Sequence, residues 1–346
     1  MTRHAFAGRR EATDGALAPP RIACMIRFYA ADAVHAALPW PRLIDALAAA
    51  FARGAQVPLR HAHRLSDSDT LLLMPAWRDP AAGAAATDRS PDAGALGIKL
   101  VTVMPGAAAR GAATVAAVYL LLDRATGEPR AVIDGEALTL RRTAAASVLA
   151  ARYLACRDAE HLLVVGTGRL APMLARAYCA DRRITRLSVW GRHATRAQTV
   201  AQELRDEGLP ARAAEDLEAA AREAQIISCA TTSTGPLVHG SWLADGTHLD
   251  LVGGFTRTMR EADDAAVARA RIAVDTFAGA LAEAGDLTQP LERGVISRDQ
   301  VVAELAQLVR GEVTGRTDAR QITLFKSVGT ALEDLAAAEI VAQSAA

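Results

Sequence analysis

The run Val164-Val165-Gly166-Thr167-Gly168-Arg169-Leu170-Ala171 combines residue types and a spacing suited to binding a phosphate. An apolar strand delivers Gly166 into a tight turn, Gly168 lets the backbone approach a pyrophosphate, and Ala171 keeps the following helix close to the sheet. The first helical turn, beginning at Arg169 and Leu170, presents its amides to the anion. A Gly-rich turn alone would mean little. This one lies between a predicted strand and a predicted helix and opens an alternating α/β series, which points to dinucleotide binding. The next predicted strand ends in Trp190-Gly191-Arg192-His193, with Arg196 one helical turn on. NAD sites commonly place an acid there for the ribose 2′-hydroxyl, whereas an arginine can receive a 2′-phosphate. The pattern therefore favours NADPH, with NADH left open.

Lys99, in Gly97-Ile98-Lys99-Leu100, is the second chemical signal. A lysine on an otherwise apolar strand is costly to bury unless it meets an anion. His61-Ala62-His63 has no carboxylate pattern nearby, so it reads as solvated loop histidines, and no metal site is expected. Cys24, Cys156, Cys179 and Cys229 are widely spread without a CxxC pair, which argues against a disulfide framework or zinc ribbon.

These residues need a scaffold. Ile26–Tyr29 reads as a short strand, Asp32 as the cap of a helix to Leu38, and Pro41–Arg53 as a helix ended by Gly54. Strands are predicted at Leu71–Met74, Gly97–Val103 and Val115–Leu122, the last turning through Gly127 and Pro129 into Ala131-Val132-Ile133. Asp79–Gly94 reads as a surface loop or insertion. Thr139 is the predicted cap of a long helix to Leu154 that leads into the strand Leu162–Val165. Beyond it, helices at Leu170–Cys179, Thr195–Glu207 and Asp216–Ala224 alternate with strands at Arg186–Trp190, Gln225–Ser228, Thr247–Val252 and Ile272–Asp275. A helix over Arg298–Leu308, a strand over Gln321–Phe325 and a helix over Gly329–Ala342 complete the reading. The alternation predicts a doubly wound parallel sheet of Rossmann type inserted into an α+β N-terminal domain. The expected division is residues 25–139 plus 318–346 for the first domain and 140–317 for the nucleotide, with 1–24 a mobile extension.

Composition sets the outer bounds. The chain has 346 residues with 39 basic and 39 acidic side chains, so its net charge of zero argues against a general nucleic-acid or anionic-membrane binder. No apolar run approaches the roughly 20 residues of a membrane span, and no apolar stretch follows Arg9-Arg10 as an export signal requires. A cytoplasmic protein of about two domains is expected.

Several motifs become recognisable together: Asp134-Gly135, Leu140-Arg141-Arg142-Thr143-Ala144-Ala145, the GxGxxA loop, Val252-Gly253-Gly254 with Met259-Arg260-Glu261-Ala262-Asp263, Gly285-Asp286, and Phe325-Lys326-Ser327-Val328-Gly329. In this order the sequence resembles the ornithine cyclodeaminase/mu-crystallin family from about Met25 to its C-terminus. The resemblance implies a sheet domain used for substrate binding and homodimerisation, a central Rossmann domain and a C-terminal helix that returns to the first domain. It implies a small amino or imino acid as substrate, its carboxylate held by Arg60 and Lys99. It places Arg142 near substrate and nicotinamide, Glu283 near the ligand's amino group, and Thr114, Thr231 and Val252 among the cofactor contacts.

One departure from the family pattern narrows the activity. True cyclodeaminases have an aspartate directly after the two glycines, where this chain has Phe255, which can neither take a proton nor pair with an ammonium. The stretch is similar instead to family members that reduce cyclic ketimines. The expectation is an NADPH-dependent reductase of Δ1-pyrroline-2-carboxylate, with Δ1-piperideine-2-carboxylate as a six-membered alternative. Arg60, Lys99 and Arg142 would anchor the carboxylate, Phe255 would line the ring pocket, and Lys99 would donate the proton or hold a water that does. An alanine-type dehydrogenase, an ornithine cyclodeaminase and an NADPH-dependent ligand binder of mu-crystallin type are the alternatives.

Overall fold

The computed structural model describes residues 26–80 and 94–344. The extension expected at 1–24 and most of the loop expected at 79–94 lie outside those residues.

The first unit comprises β1 (Arg27–Tyr29), α1 (Ala31–Ala37), α2 (Trp40–Arg53), β2 (His61–Arg64), β3 (Thr70–Arg78), β4 (Ala95–Val103), β5 (Val115–Leu122) and β6 (Pro129–Asp134). Strands β2 to β6 form an antiparallel meander, and β1 adds to β6 in parallel, giving the order β1-β6-β5-β4-β3-β2. The period-two alternation of a strand sorts its side chains into two faces. Met74, Lys99 and Tyr119 occupy one row of the inner face, and Leu73, Leu100 and Val118 the adjacent row of the outer face. The inner row is buried, while the outer face, with Ile98, Leu120 and Val132, stays half-buried, and Phe28 beside Val132 is exposed.

Helix α3 (Gly135–Leu154) leaves β6 and joins the two units, packing on α2, α4 and α11 and on strands of both sheets. The second unit is β7 (His161–Val165), α4 (Leu170–Asp181), β8 (Arg186–Trp190), α5 (Ala194–Asp206), β9 (Ala211–Ala213), α6 (Leu217–Glu223), β10 (Ile226–Cys229), β11 (His248–Leu251), α7 (Asp264–Arg269), β12 (Arg271–Val274), α8 (Phe277–Glu283), α9 (Gly285–Glu292), β13 (Val301–Glu304), α10 (Leu305–Val309) and β14 (Thr323–Lys326). Its strands are parallel in the order β13-β12-β14-β11-β10-β7-β8-β9. β7, β10, β11 and β14 are buried along their whole length, as a sheet covered by helices on both faces requires. The strand order reverses between β7 and β10, and ligands of such sheets bind at the carboxyl ends beside that switch point. No described helix is long and apolar enough to cross a membrane.

The last helix, α11 (Ala331–Gln343), is buried nearly all round and packs on α2, α3 and the inner face of β3 and β4. The C-terminal segment is therefore divided. Its helix joins the first unit as expected for 318–346, but β14 lies in the parallel sheet between β11 and β12, so that boundary is corrected.

Three local readings also change. Asp32 lies in the first turn of α1 behind Ala30, so it favours the helix N-terminus by charge rather than by capping. Thr139 lies one turn inside α3, which starts at Gly135 because Asp134 accepts a hydrogen bond from the Ala137 amide at 2.8 Å. The predicted helix over Arg298–Leu308 is a 3-10 turn at Arg298–Gln300 followed by β13 and the short α10. Pairing of Val301–Glu304 with β12 overrides the local helical period.

A candidate active site between the two sheets

A cavity of about 300 Å³ opens between the inner face of the antiparallel sheet and the carboxyl ends of the parallel strands. Met74, Lys99 and Val101 enter from the first sheet, Thr139 and Arg142 from α3, Leu170 from the start of α4, Val252 and Phe255 from the loop after β11, and Val328 and Gly329 from the turn before α11. Arg60 closes one side. The structure thus gathers Arg60, Lys99, Arg142, Leu170, Val252 and Phe255 around one space.

Two cations in its wall are almost fully buried. Lys99 is 2% exposed, and its Nζ lies 2.9 and 2.8 Å from the two carboxylate oxygens of Asp334 and 3.4 Å from Thr139 Oγ1. Arg142 donates from Nε to Asp334 at 2.9 Å and from Nη1 to Glu333 at 2.6 Å. Both acids lie in the first turn of α11 and are fully buried. The anion that Lys99 required is therefore supplied by the far end of the chain. Burial lowers the Lys99 ammonium to about 8 even with Asp334 beside it, because Arg142 adds a second positive charge. Burial works against the Asp334 carboxylate too, but two cations outweigh it and hold it below the ordinary range. Glu333 has one cation and an unpartnered Oε1, and burial raises it to about 7. Near neutral pH the group of four thus carries a partial positive charge, and Arg142 Nη2 has no hydrogen-bond partner among the described residues.

Arg60 is less free than a two-pronged carboxylate fork would be. Its Nη2 donates to the carbonyls of Val328 and Gly329 at 3.2 and 3.0 Å, and its Nε pairs with Glu283 at 3.2 Å. Asp275 holds the same peptide from the other side, accepting from the Val328 and Gly329 amides at 2.8 and 2.7 Å. Glu283 does not line the cavity with Phe255. It lines a neighbouring cavity of about 270 Å³, and Arg60, to which it pairs, lines both. Thr114 is exposed, and the wall begins with its neighbour Val115. His61 and His63 stand solvated on the edge strand β2 rather than in a loop.

The nucleotide signals lie at the switch point. Gly166 has φ 131°, and a Cβ there would sit 2.5 Å from the Ala230 carbonyl oxygen, so glycine is required where the first loop meets the end of β10. At Gly168 an added Cβ would meet nothing within 4 Å, leaving the backbone open to a ligand beside the N-terminus of α4. Arg169, at that N-terminus, pairs with Glu136 on α3 at the cavity wall. Gly191, Arg192 and His193 follow β8, and the exposed side chains of Arg192, His193 and Arg196 make no ion pair or hydrogen bond among the described residues. An open glycine at a helix start and free cations at the next strand end fit a dinucleotide.

A second buried charge group stands behind the cavity. The Glu261 carboxylate accepts from Thr231 and from the Gly253 and Gly254 amides, while Asp286 pairs with Lys326 at 3.0 Å, all three charges being fully buried. Burial raises Glu261 to about 7, with Lys326 opposing. Sequence reasoning assigned no role to Glu261, Asp286, Lys326, Glu333 or Asp334. Two adjacent acids in the apolar run Ala331–Ala338 were the available signal for the last two.

The model of the ornithine cyclodeaminase/mu-crystallin family matches residues 31–346. The Δ1-pyrroline-2-carboxylate reductase of Paracoccus denitrificans is 41% identical over 248 residues, 71% of this chain and 78% of that protein. Among solved structures, the Thermococcus litoralis Δ1-pyrroline-2-carboxylate reductase in complex with NADH and L-proline superposes with a TM-score of 0.84 at 32% identity, covering 92% of this chain and 97% of that one. An archaeal alanine dehydrogenase dimer with bound NAD gives 0.82 at 26% identity, covering 92% and 96%.

Replacing Asp334 with alanine leaves two buried cations to share Glu333. Loss of one partner from a buried ion group costs about 3–5 kcal/mol. Chemical denaturation of Asp334→Ala is expected to show a loss of that size, and a loss below about 1 kcal/mol would contradict the account of the charge group.

Proposed function

The chain belongs to the ornithine cyclodeaminase/mu-crystallin family, and from that premise we propose that it reduces Δ1-pyrroline-2-carboxylate to L-proline with NADPH. The observation that carries this reading is a cavity with two buried, partly unsatisfied cations on one side and Phe255, Leu170 and Val252 on the other. That combination suits a small ring bearing a carboxylate. Phe255, where a cyclodeaminase has an acid, removes the group that amine elimination needs.

Arg142 Nη2, the remaining Lys99 donor and Arg60 Nη1 are the groups available to the substrate carboxylate. Charge-assisted bonds to buried cations orient the ring as well as bind it. When bound at the GxGxxA loop, the nicotinamide cofactor supplies the hydride that the imine carbon receives. The imine nitrogen must gain a proton, and Lys99 is the acid assigned to it. Its depressed pKa of about 8 makes it a better donor than an ordinary lysine near neutral pH. Asp334 holds the ammonium in place and keeps it charged against the pull of burial.

The cofactor preference rests on Arg192 and Arg196, which stand free where a 2′-phosphate would lie, with no acid to take a 2′-hydroxyl. The homodimer rests on the outer face of the first sheet, whose apolar residues are left half-buried. A second copy of this face is the partner that fits it.

Four measurements test the reading. Purified protein is expected to oxidise NADPH on addition of Δ1-pyrroline-2-carboxylate, with the six-membered Δ1-piperideine-2-carboxylate and pyruvate plus ammonia run alongside; no turnover with either ring sinks the proposal. The acid must be protonated, so kcat/KM should be flat below about pH 8 and fall above it. Lys99→Met should lower kcat by roughly 10²–10⁴, and in Lys99→Arg the limb near pH 8 should vanish; a limb that persists in Lys99→Arg belongs to the substrate instead. For the cofactor, Arg192→Ala with Arg196→Ala should raise KM for NADPH by about 10–100-fold while changing that for NADH little, and equal effects on both would refute the 2′-phosphate assignment. Leu120→Arg, on the outer face, should halve the particle mass in light scattering with the circular dichroism spectrum kept, and an unchanged mass places the dimer contact elsewhere.

A further inference from the structure

The oxygens of Glu261 are divided between two loops. Oε1 accepts from the Thr231 backbone amide at 2.7 Å and its hydroxyl at 2.9 Å, and Oε2 accepts from the Gly253 and Gly254 amides at 2.8 and 3.2 Å. Thr231 follows β10 and the two glycines follow β11, so one side chain ties the carboxyl ends of adjacent parallel strands. Each loop reaches the ligand side. Val252 and Phe255 flank the glycines and line the cavity, and Ala230, beside Thr231, is the residue against which Gly166 packs.

The join has no slack. A Cβ on Gly253 would lie 2.1 Å from Thr231 O and 2.5 Å from Glu261 Oε1, and one on Gly254 would lie 2.7 Å from Asp286 Oδ2. Glu261 is itself held, since its amide donates to Asp286 Oδ1 at 2.7 Å and the Ala262 amide does so at 3.2 Å, while Asp286 Oδ2 meets Lys326 at the end of β14. Apolar packing could join two loops without burying three charges. What a carboxylate with four donors adds is direction, because each bond fixes an angle as well as a distance.

We infer that Glu261, braced by Asp286 and Lys326, is a positioning residue that sets where the nicotinamide half of the cofactor lies against the substrate. The inference rests on the reading that the GxGxxA loop binds a dinucleotide. The pyrophosphate and the adenosine 2′-phosphate would be held elsewhere, by the open Gly168 turn, the start of α4 and the cations after β8, and neither Glu261, Asp286 nor Lys326 bonds to any of these.

That separation gives the test. In Glu261→Gln one oxygen remains an acceptor, and the new amide group faces donors on the other loop. Asp286→Asn keeps an acceptor for the Glu261 amide but removes the charge facing Lys326. Calorimetry on each full-length variant would compare NADPH with 2′-phospho-ADP-ribose, which lacks nicotinamide. For Glu261→Gln the Kd of NADPH is expected to rise about tenfold, one lost charge-assisted bond, with kcat for the ketimine falling at least as far. The Kd of 2′-phospho-ADP-ribose should stay within about twofold of wild type. Asp286→Asn should move in the same direction by less, and it decides the matter if Glu261→Gln does not fold. Equal weakening of both ligands, or no change in either, overturns the inference. If wild-type protein binds NADPH but does not reduce the ketimine, the substrate proposal fails and the binding comparison still decides. If wild-type protein binds neither nucleotide, the dinucleotide reading falls and the inference with it.

Discussion

Lys99 and Arg142 can lie buried in the cavity wall only because Asp334 stands between them. An isolated ammonium or guanidinium removed from water would lose its charge or unfold its surroundings. A carboxylate that touches both removes most of that penalty without using every donor. The arrangement also fixes geometry, since Lys99 comes from β4, Arg142 from α3 and Asp334 from α11, and their mutual contacts set how these elements sit. Much of the rest follows: α11 must be buried to bring its acids there, and the sheet that carries Lys99 must turn its inner face to α11. Glu333 adjusts the balance, because a carboxyl poised near neutrality lets the group carry positive charge into a space meant for an anion.

The parallel sheet contributes something different. Its strand ends supply loops rather than charged side chains, and those loops are held by buried carboxylates: Glu261 on the turns after β10 and β11, and Asp275 on the turn after β14. One sheet thus brings the groups that meet a carboxylate, and the other brings a set of constrained backbones beside an open glycine turn. The cavity exists because α3 spans the two and α11 crosses from the second sheet back to the first.

Much of this architecture was legible in residue order. The GxGxxA run, buried apolar strands and alternating helices carry their own local signals, and the sheet order agrees with them. The need of Lys99 for an anion was legible from Ile98 and Leu100 on either side, but its partner was not, because Asp334 is 235 positions away and looks like any acid opening a helix. The protein partners of Arg60 were hidden for the same reason, since Glu283 and two carbonyls reach it only through space. Thr139 was misplaced because a hydroxyl before an alanine-rich run resembles a cap, while Asp134, at the true start, also ends a strand. At Val301–Glu304 a helical period masked a strand that only pairing with β12 reveals.

The long crossing of α11 has a consequence for how the molecule is made. On a ribosome the antiparallel sheet emerges first, carrying Lys99 with no counter-ion, and the acids that neutralise it arrive more than two hundred residues later. Contacts this distant raise the entropy cost of closing the chain and slow folding. The reactive cavity is therefore among the last parts to be assembled. An unfinished chain that already holds the loops after β7 and β8 still lacks the carboxylates that let its cations stay inside.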